Sequence, residues 1–116
     1  MSKRSLVFFI KDMLEAITKI ERYVCGLTYE NFAENDMVLD AVVRNLEVIG
    51  EAARHLPQEL RERYNDIDWR RVVGFRNIVV HEYFDVDPQI VWVIATQHLT
   101  ELKGVLEKML NDLGEE

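Results

Sequence analysis

Residues 69–84 read Trp-Arg-Arg-Val-Val-Gly-Phe-Arg-Asn-Ile-Val-Val-His-Glu-Tyr-Phe. Trp69, Val73, Arg76, Val80 and Tyr83 follow one another at spacings of four, three, four and three, which is one face of a helix. The apolar residues around the stretch keep the same rhythm. Four groups break it: Arg76, Asn77, His81 and Tyr83. Their side chains can bind phosphate, move a proton or present a hydroxyl.

Working outward, the chain before this stretch predicts two long helices. Leu6, Ile10, Met13, Ile17, Ile20 and Val24 form a continuous stripe, so the first helix should run from about Ser5 to Cys25. Gly26 is its expected stop. Residues 27–34 read as a connection with room for one loose turn around Tyr29 to Phe32. Asn35 or Asp36 should cap a second helix that ends near His55, ahead of Pro57. Its main stripe is Leu39, Val42, Leu46, Ile49 and Ala53. A second apolar line, Val38, Ala41, Val48 and Ala52, lies beside it, which implies either a central helix or a contact with another subunit. Gly50 is costly inside a helix, and close backbone approach is the reason to expect it there.

Residues 57–64 predict a short helix with proline in its first turn. Asp68 should cap a third long helix running from Trp69 to about His81. Asp87-Pro88 should start a fourth, carrying Trp92, Ala95, Leu99, Leu102, Leu106, Met109 and Leu113. Met13, Met37 and Met109 read as core fillers. The expected fold is an all-α, antiparallel four-helix bundle with an additional short helix, built as one domain over residues 1–116.

Composition narrows the function. The net charge of −7 argues against a general nucleic-acid coat, because a negative surface repels phosphate. The charge is uneven: residues 51–81 hold six arginines against five acids, and every cation in that segment is Arg. Arg is the better planar phosphate binder. Cys25 stands alone, so no internal disulfide can form and a reduced, cytoplasmic home is expected. The apolar run Leu6–Ile10 is too short for a signal peptide or a membrane span. There is no glycine-rich phosphate loop and no CxxC. His55, His81 and His98 lack metal-ligand spacing, so neither a metal nor a cofactor is expected.

Arg76 on a core stripe needs either a carboxylate partner, with Glu51 and Asp40 as candidates, or a cleft to line. Asn77 can be a satisfied core amide or can orient His81, four residues on. His81 can be a structural imidazole or a proton carrier, and Tyr83 a boundary aromatic or a substrate contact. On an ideal α-helix Arg76 and His81 lie about 140° apart. One helix is therefore an awkward site, and two copies facing each other would relieve the difficulty.

Arg76-Asn77-Ile78-Val79-Val80-His81-Glu82-Tyr83 resembles the Arg, four residues, His, one residue, Tyr motif of the HepT-like branch of the HEPN superfamily. Asp40-Ala41-Val42 through Ile49-Gly50-Glu51-Ala52 resembles that family's second helix, and Val91-Trp92 its last. The resemblance implies a HEPN-like bundle that pairs as a homodimer with the two motifs across a cleft. It implies a metal-independent endoribonuclease, the toxin of a type VII toxin–antitoxin pair. Arg76 and His81 would be catalytic, and Asn77 and Tyr83 would bind or orient the RNA. Its partner would be an MntA-type minimal nucleotidyltransferase antitoxin, able to transfer AMP onto Tyr83. The rival reading is a non-enzymatic dimeric binding subunit that presents a substrate to such a nucleotidyltransferase.

Overall fold

The computed structural model describes residues 1–77 and 86–114. Their regular structure is helical, and among the described residues there is no strand. α1 spans Lys3–Val24, α2 Tyr29–Ala33, α3 Asp36–Arg54, α4 Gln58–Arg63 and α5 Trp69–Gly74. A 3₁₀ turn, Phe75–Asn77, continues α5. α6 spans Pro88–Val93, a π-helical turn covers Ile94–His98, and α7 runs Leu99–Asp112.

Side chains acting on free backbone amides set the helix starts. Ser2 accepts from Ser5 N, Thr28 from Asn31 N, Asn35 from Val38 N, Asp68 from Arg71 N and Asp87 from Gln89 N. α1 stops at Gly26, whose φ of +78° is open to glycine at little cost.

α1, α3 and α7 form the long part of the bundle, and their directions follow from what meets at their ends. Phe9, early in α1, stacks on His55 at the end of α3, with ring centroids 4.7 Å apart. Glu21, late in α1, meets Lys103 in the first half of α7 at 3.1 Å. α1 is thus antiparallel to both. The interior between them holds Ile10, Met13, Ile17, Ile20, Leu46, Ile49, Leu102, Leu106 and Met109, all essentially without exposed surface. Among the described residues no polar or charged side chain is buried.

Four expectations from sequence need correction. The connection 27–34 contains a true helix, α2, because Thr28 caps it and Phe32 anchors it fully buried against Trp92 (centroids 5.1 Å). Met37 is no core filler: it is 80% exposed, in the first turn of α3. The third helix keeps α geometry only to Gly74 and then tightens to 3₁₀; the remainder of the expected span, from Ile78 on, lies outside the described residues. The last helix is interrupted by the π turn. There the Thr96 hydroxyl donates to Trp92 O at 2.7 Å, competing with the regular ladder. The extra residue shifts the register. Val91 rather than Trp92 is buried before the turn, while Leu99, Leu102 and Leu106 keep the expected stripe after it.

α5 reaches the bundle through two fixed points. Trp69 Nε1 donates to Tyr64 O at 3.0 Å, and the Tyr64 hydroxyl donates to Asp112 Oδ2 at 2.6 Å. Burial, and then the bond to Asp112, push the Tyr64 phenol up from its ordinary value of 10.0. The chain between α4 and α5 is thereby tied to the end of α7.

Candidate active site at the junction of α3 and α5

Gly50 decides how closely α5 can lie on α3. A Cβ at this position would sit 2.5 Å from Arg76 N, 3.0 Å from Val73 O and 3.1 Å from Val72 O. All three are backbone atoms, so no side-chain rotation could make room. The expected close approach is therefore present, and the backbone it admits is that of the motif. The change from α to 3₁₀ winding falls at the same place.

This approach brings Arg76 to the last turns of α3. Its Nη1 lies 3.5 Å from Glu51 Oε2. Of the two carboxylates open on sequence grounds, Glu51 is the one used. Glu51 also meets Arg54 Nη2 at 2.7 Å and His55 Nε2 at 3.4 Å. The bonded Arg54 guanidinium is the main reason that the Glu51 carboxyl is held at about 2 rather than the usual 4.5. Arg76 and His55 add to that effect, and desolvation opposes it. Glu51 therefore stays an anion across the physiological range and holds two arginines on one carboxylate.

Arg76 is not a plain buried ion pair. Its side chain is 39% exposed, and its contact with Glu51 is long. At the same time its Nε is buried and, among the described residues, has no hydrogen-bond partner. The result is a guanidinium anchored at one end with donors left to offer. That suits reversible binding of an oxyanion such as phosphate better than permanent pairing.

Asn77 is half-buried beside Arg76 in the 3₁₀ turn. The 3₁₀ turn is described only to Asn77, so the separation of about 140° expected between Arg76 and His81 on an ideal α-helix falls on residues outside the described ones. His81 and Tyr83 lie outside the described residues. The structure thus joins Arg76 and Asn77 in one turn and adds Glu51, Arg54 and His55 around the guanidinium.

His55 is the residue that sequence reading missed. It stacks on Phe9 at an interplanar angle of 6° and shares the Glu51 carboxylate with Arg76. Its only signal in the sequence is the four-residue spacing from Glu51, which many solvated helix pairs share. Among the described residues, no cluster of three or more His, Cys, Asp or Glu side chains could hold a metal ion. No helix among them is long and apolar enough to cross a membrane.

Residues 13–109 match the family described as Ribonuclease HepT-like. Over 107 residues the chain is 36% identical to "Putative RNase MJ1380" of Methanocaldococcus jannaschii, covering 92% of this chain and 98% of that protein. It is 38% identical to "Putative RNase MJ1216" of the same organism, covering 97% and 93% respectively. It is 34% identical to "Probable ribonuclease HepT" of Thermococcus cleftensis, covering 92% and 97%. No solved structure matches. The chain belongs to the HepT-like ribonuclease family.

Proposed function

We propose that this chain is a metal-independent endoribonuclease and the toxin of a type VII toxin–antitoxin pair, working as a homodimer whose two copies of the motif face one cleft. The observation that carries this reading is the state of Arg76. It is tethered by Glu51 beside the backbone of α3, yet half open to solvent, on a chain whose family is that of ribonucleases.

RNA supplies its own nucleophile. The ribose 2′-hydroxyl attacks the adjacent phosphorus while one imidazole accepts its proton. The bond to the 5′-oxygen breaks, a second proton donor delivers a proton to that leaving oxygen, and a 2′,3′-cyclic phosphate results. His81 is the proton carrier, since an unperturbed histidine titrates near pH ~6.5. Two copies in a dimer provide an acid and a base together. Arg76 neutralises the charge that builds on the phosphate oxygens. Asn77 orients the imidazole or the strand, and Tyr83 contacts the RNA.

The partner in this reading is an MntA-type nucleotidyltransferase antitoxin. AMP transferred to the Tyr83 hydroxyl, with pyrophosphate leaving from ATP, would place bulk and negative charge where RNA phosphate must lie. The acidic surface of the chain then helps, because it confines RNA to the arginine-bearing region.

The test is cleavage of single-stranded RNA by purified wild type, Arg76→Ala and His81→Ala in the presence of a chelator. Wild type should leave cyclic-phosphate ends, and each variant should lose about 10²-fold or more in rate while keeping its helical spectrum. Full activity of His81→Ala would sink the mechanism.

A further inference from the structure

A second arginine-lined feature precedes Arg76, with Arg70 six residues and Val73 three residues ahead of it. Between α4 and the start of α5 runs an open groove of about 510 Å³, lined by Gln58, Arg61, Asn65, Arg70 and Val73. Trp69 closes its floor, nearly covered and with its indole N–H already given to Tyr64 O. Among the described residues the one carboxylate in the lining is Glu62, which accepts a bond from Gln58 Nε2 at 3.0 Å. Arg70 is exposed. Arg61 Nε is buried and, among the described residues, has no hydrogen-bond partner.

We infer that this groove is a subsite for single-stranded RNA, in which Arg61 and Arg70 hold backbone phosphates of the strand leading away from the cut. The inference rests on the ribonuclease reading above and extends it to where the substrate lies.

Three observations favour that occupant. The cations are both guanidinium groups, which fit phosphate oxygens in pairs. Among the described residues their lining contains a single acid, already engaged, on a chain of net charge −7. Arg61 and Arg76 each carry a buried Nε that, among the described residues, has no hydrogen-bond partner. Val73 both lines the groove and stands three residues before Arg76, so groove and candidate site share one face of α5. The amides of Gln58 and Asn65 can bond phosphate or ribose hydroxyls. Among the described residues no exposed aromatic ring lines the groove as a stacking platform, so contact there should be indifferent to base identity.

The test compares wild type, Arg61→Gln, Arg70→Gln, the double variant, and Arg61→Lys/Arg70→Lys. Each is assayed on a dinucleotide and on a longer single strand, with RNA affinity followed against salt. Removing both arginines should raise KM for the longer strand about tenfold and leave kcat and dinucleotide cleavage unchanged. The slope of log affinity against log salt should shrink by about 0.7 for each arginine lost, and the lysine pair should restore most of it. Unchanged KM and salt slope in a double variant made from a wild type that cuts RNA would overturn the groove alone. So would a weaker RNA affinity fully accounted for by an altered oligomeric state, since the groove would then be a contact between copies. A wild type that neither binds nor cuts single-stranded RNA would overturn the ribonuclease reading and the groove together.

Discussion

The interior between α1, α3 and α7 and the junction between α3 and α5 are built on different rules. In the first, side chains of one helix fill spaces left by another, and every fully buried group is apolar. Its energy is area removed from water plus tight packing, and it tolerates no polarity. In the second, two backbones touch at Gly50, a helix changes winding, and one carboxylate gathers two arginines and a histidine. The interior is a support that any apolar stripe of the right period could supply. The junction is a position, and its value lies in where it puts Arg76.

The largest test of this contrast is a cavity in the support. Leu46 is fully buried, so Leu46→Ala should cost about 2–5 kcal/mol in urea unfolding. Any RNA cleavage measured well below its melting temperature should change little. A strong loss of cleavage in the folded variant would mean that support and site are not separable.

Gly50→Ala reverses the emphasis. Alanine gains up to about 1 kcal/mol of helix propensity. The new Cβ meets backbone rather than a yielding side chain, however, so separation of α5 from α3 should outweigh that gain. A net loss of about 1–3 kcal/mol is expected. RNA cleavage should fall further than stability explains, because Arg76 N is the nearest obstacle. An active, stabilised Gly50→Ala protein would show that the close approach is dispensable.

Glu51→Gln is the mildest change and the most specific to the junction. Glu51 has its folded value depressed from 4.5 to about 2, so its contribution to stability is present above 4.5 and is lost as pH falls from there toward 2. The carboxylate is about half exposed, so solvent screening keeps that contribution small. Between pH 4.5 and 2, Glu51→Gln should show a shallower loss of melting temperature than wild type. At neutral pH it should stay folded, with cleavage reduced because Arg76 loses its tether. Identical acid profiles for the two proteins would show that the Glu51 contacts do not matter for stability.

Much of the support is legible in the sequence, since a helix stripe needs only the local 3.6-residue period. Leu6 to Val24 and Leu39 to Ala53 lie on the faces that the spacing assigns to them. Gly26, Asn35, Asp68 and Asp87 act as the stop and the caps expected of them. The failures have local causes that the period does not register. Thr28 with Phe32 makes a helix too short to show a stripe. Thr96 diverts the Trp92 carbonyl, and Met37 is apolar yet faces out. At the junction, sequence singles out Arg76 and Asn77, marks Gly50 as a place of close approach, and leaves Glu51 and Asp40 open as partners.

The sequence by itself determined the helical class, most of the core and the identity of the arginine that does not belong in it, because each follows from periodicity and the cost of burying charge. Tertiary structure alone decided that Arg76 meets Glu51, so that the carboxylate His55 reaches along its own helix is shared with an arginine from another. The packing of α4 beside α5 likewise opened the groove of Arg61 and Arg70. Glu51 and Arg76 lie 25 residues apart along the chain, and only the closeness of two backbones at Gly50, which no local spacing encodes, brings them together.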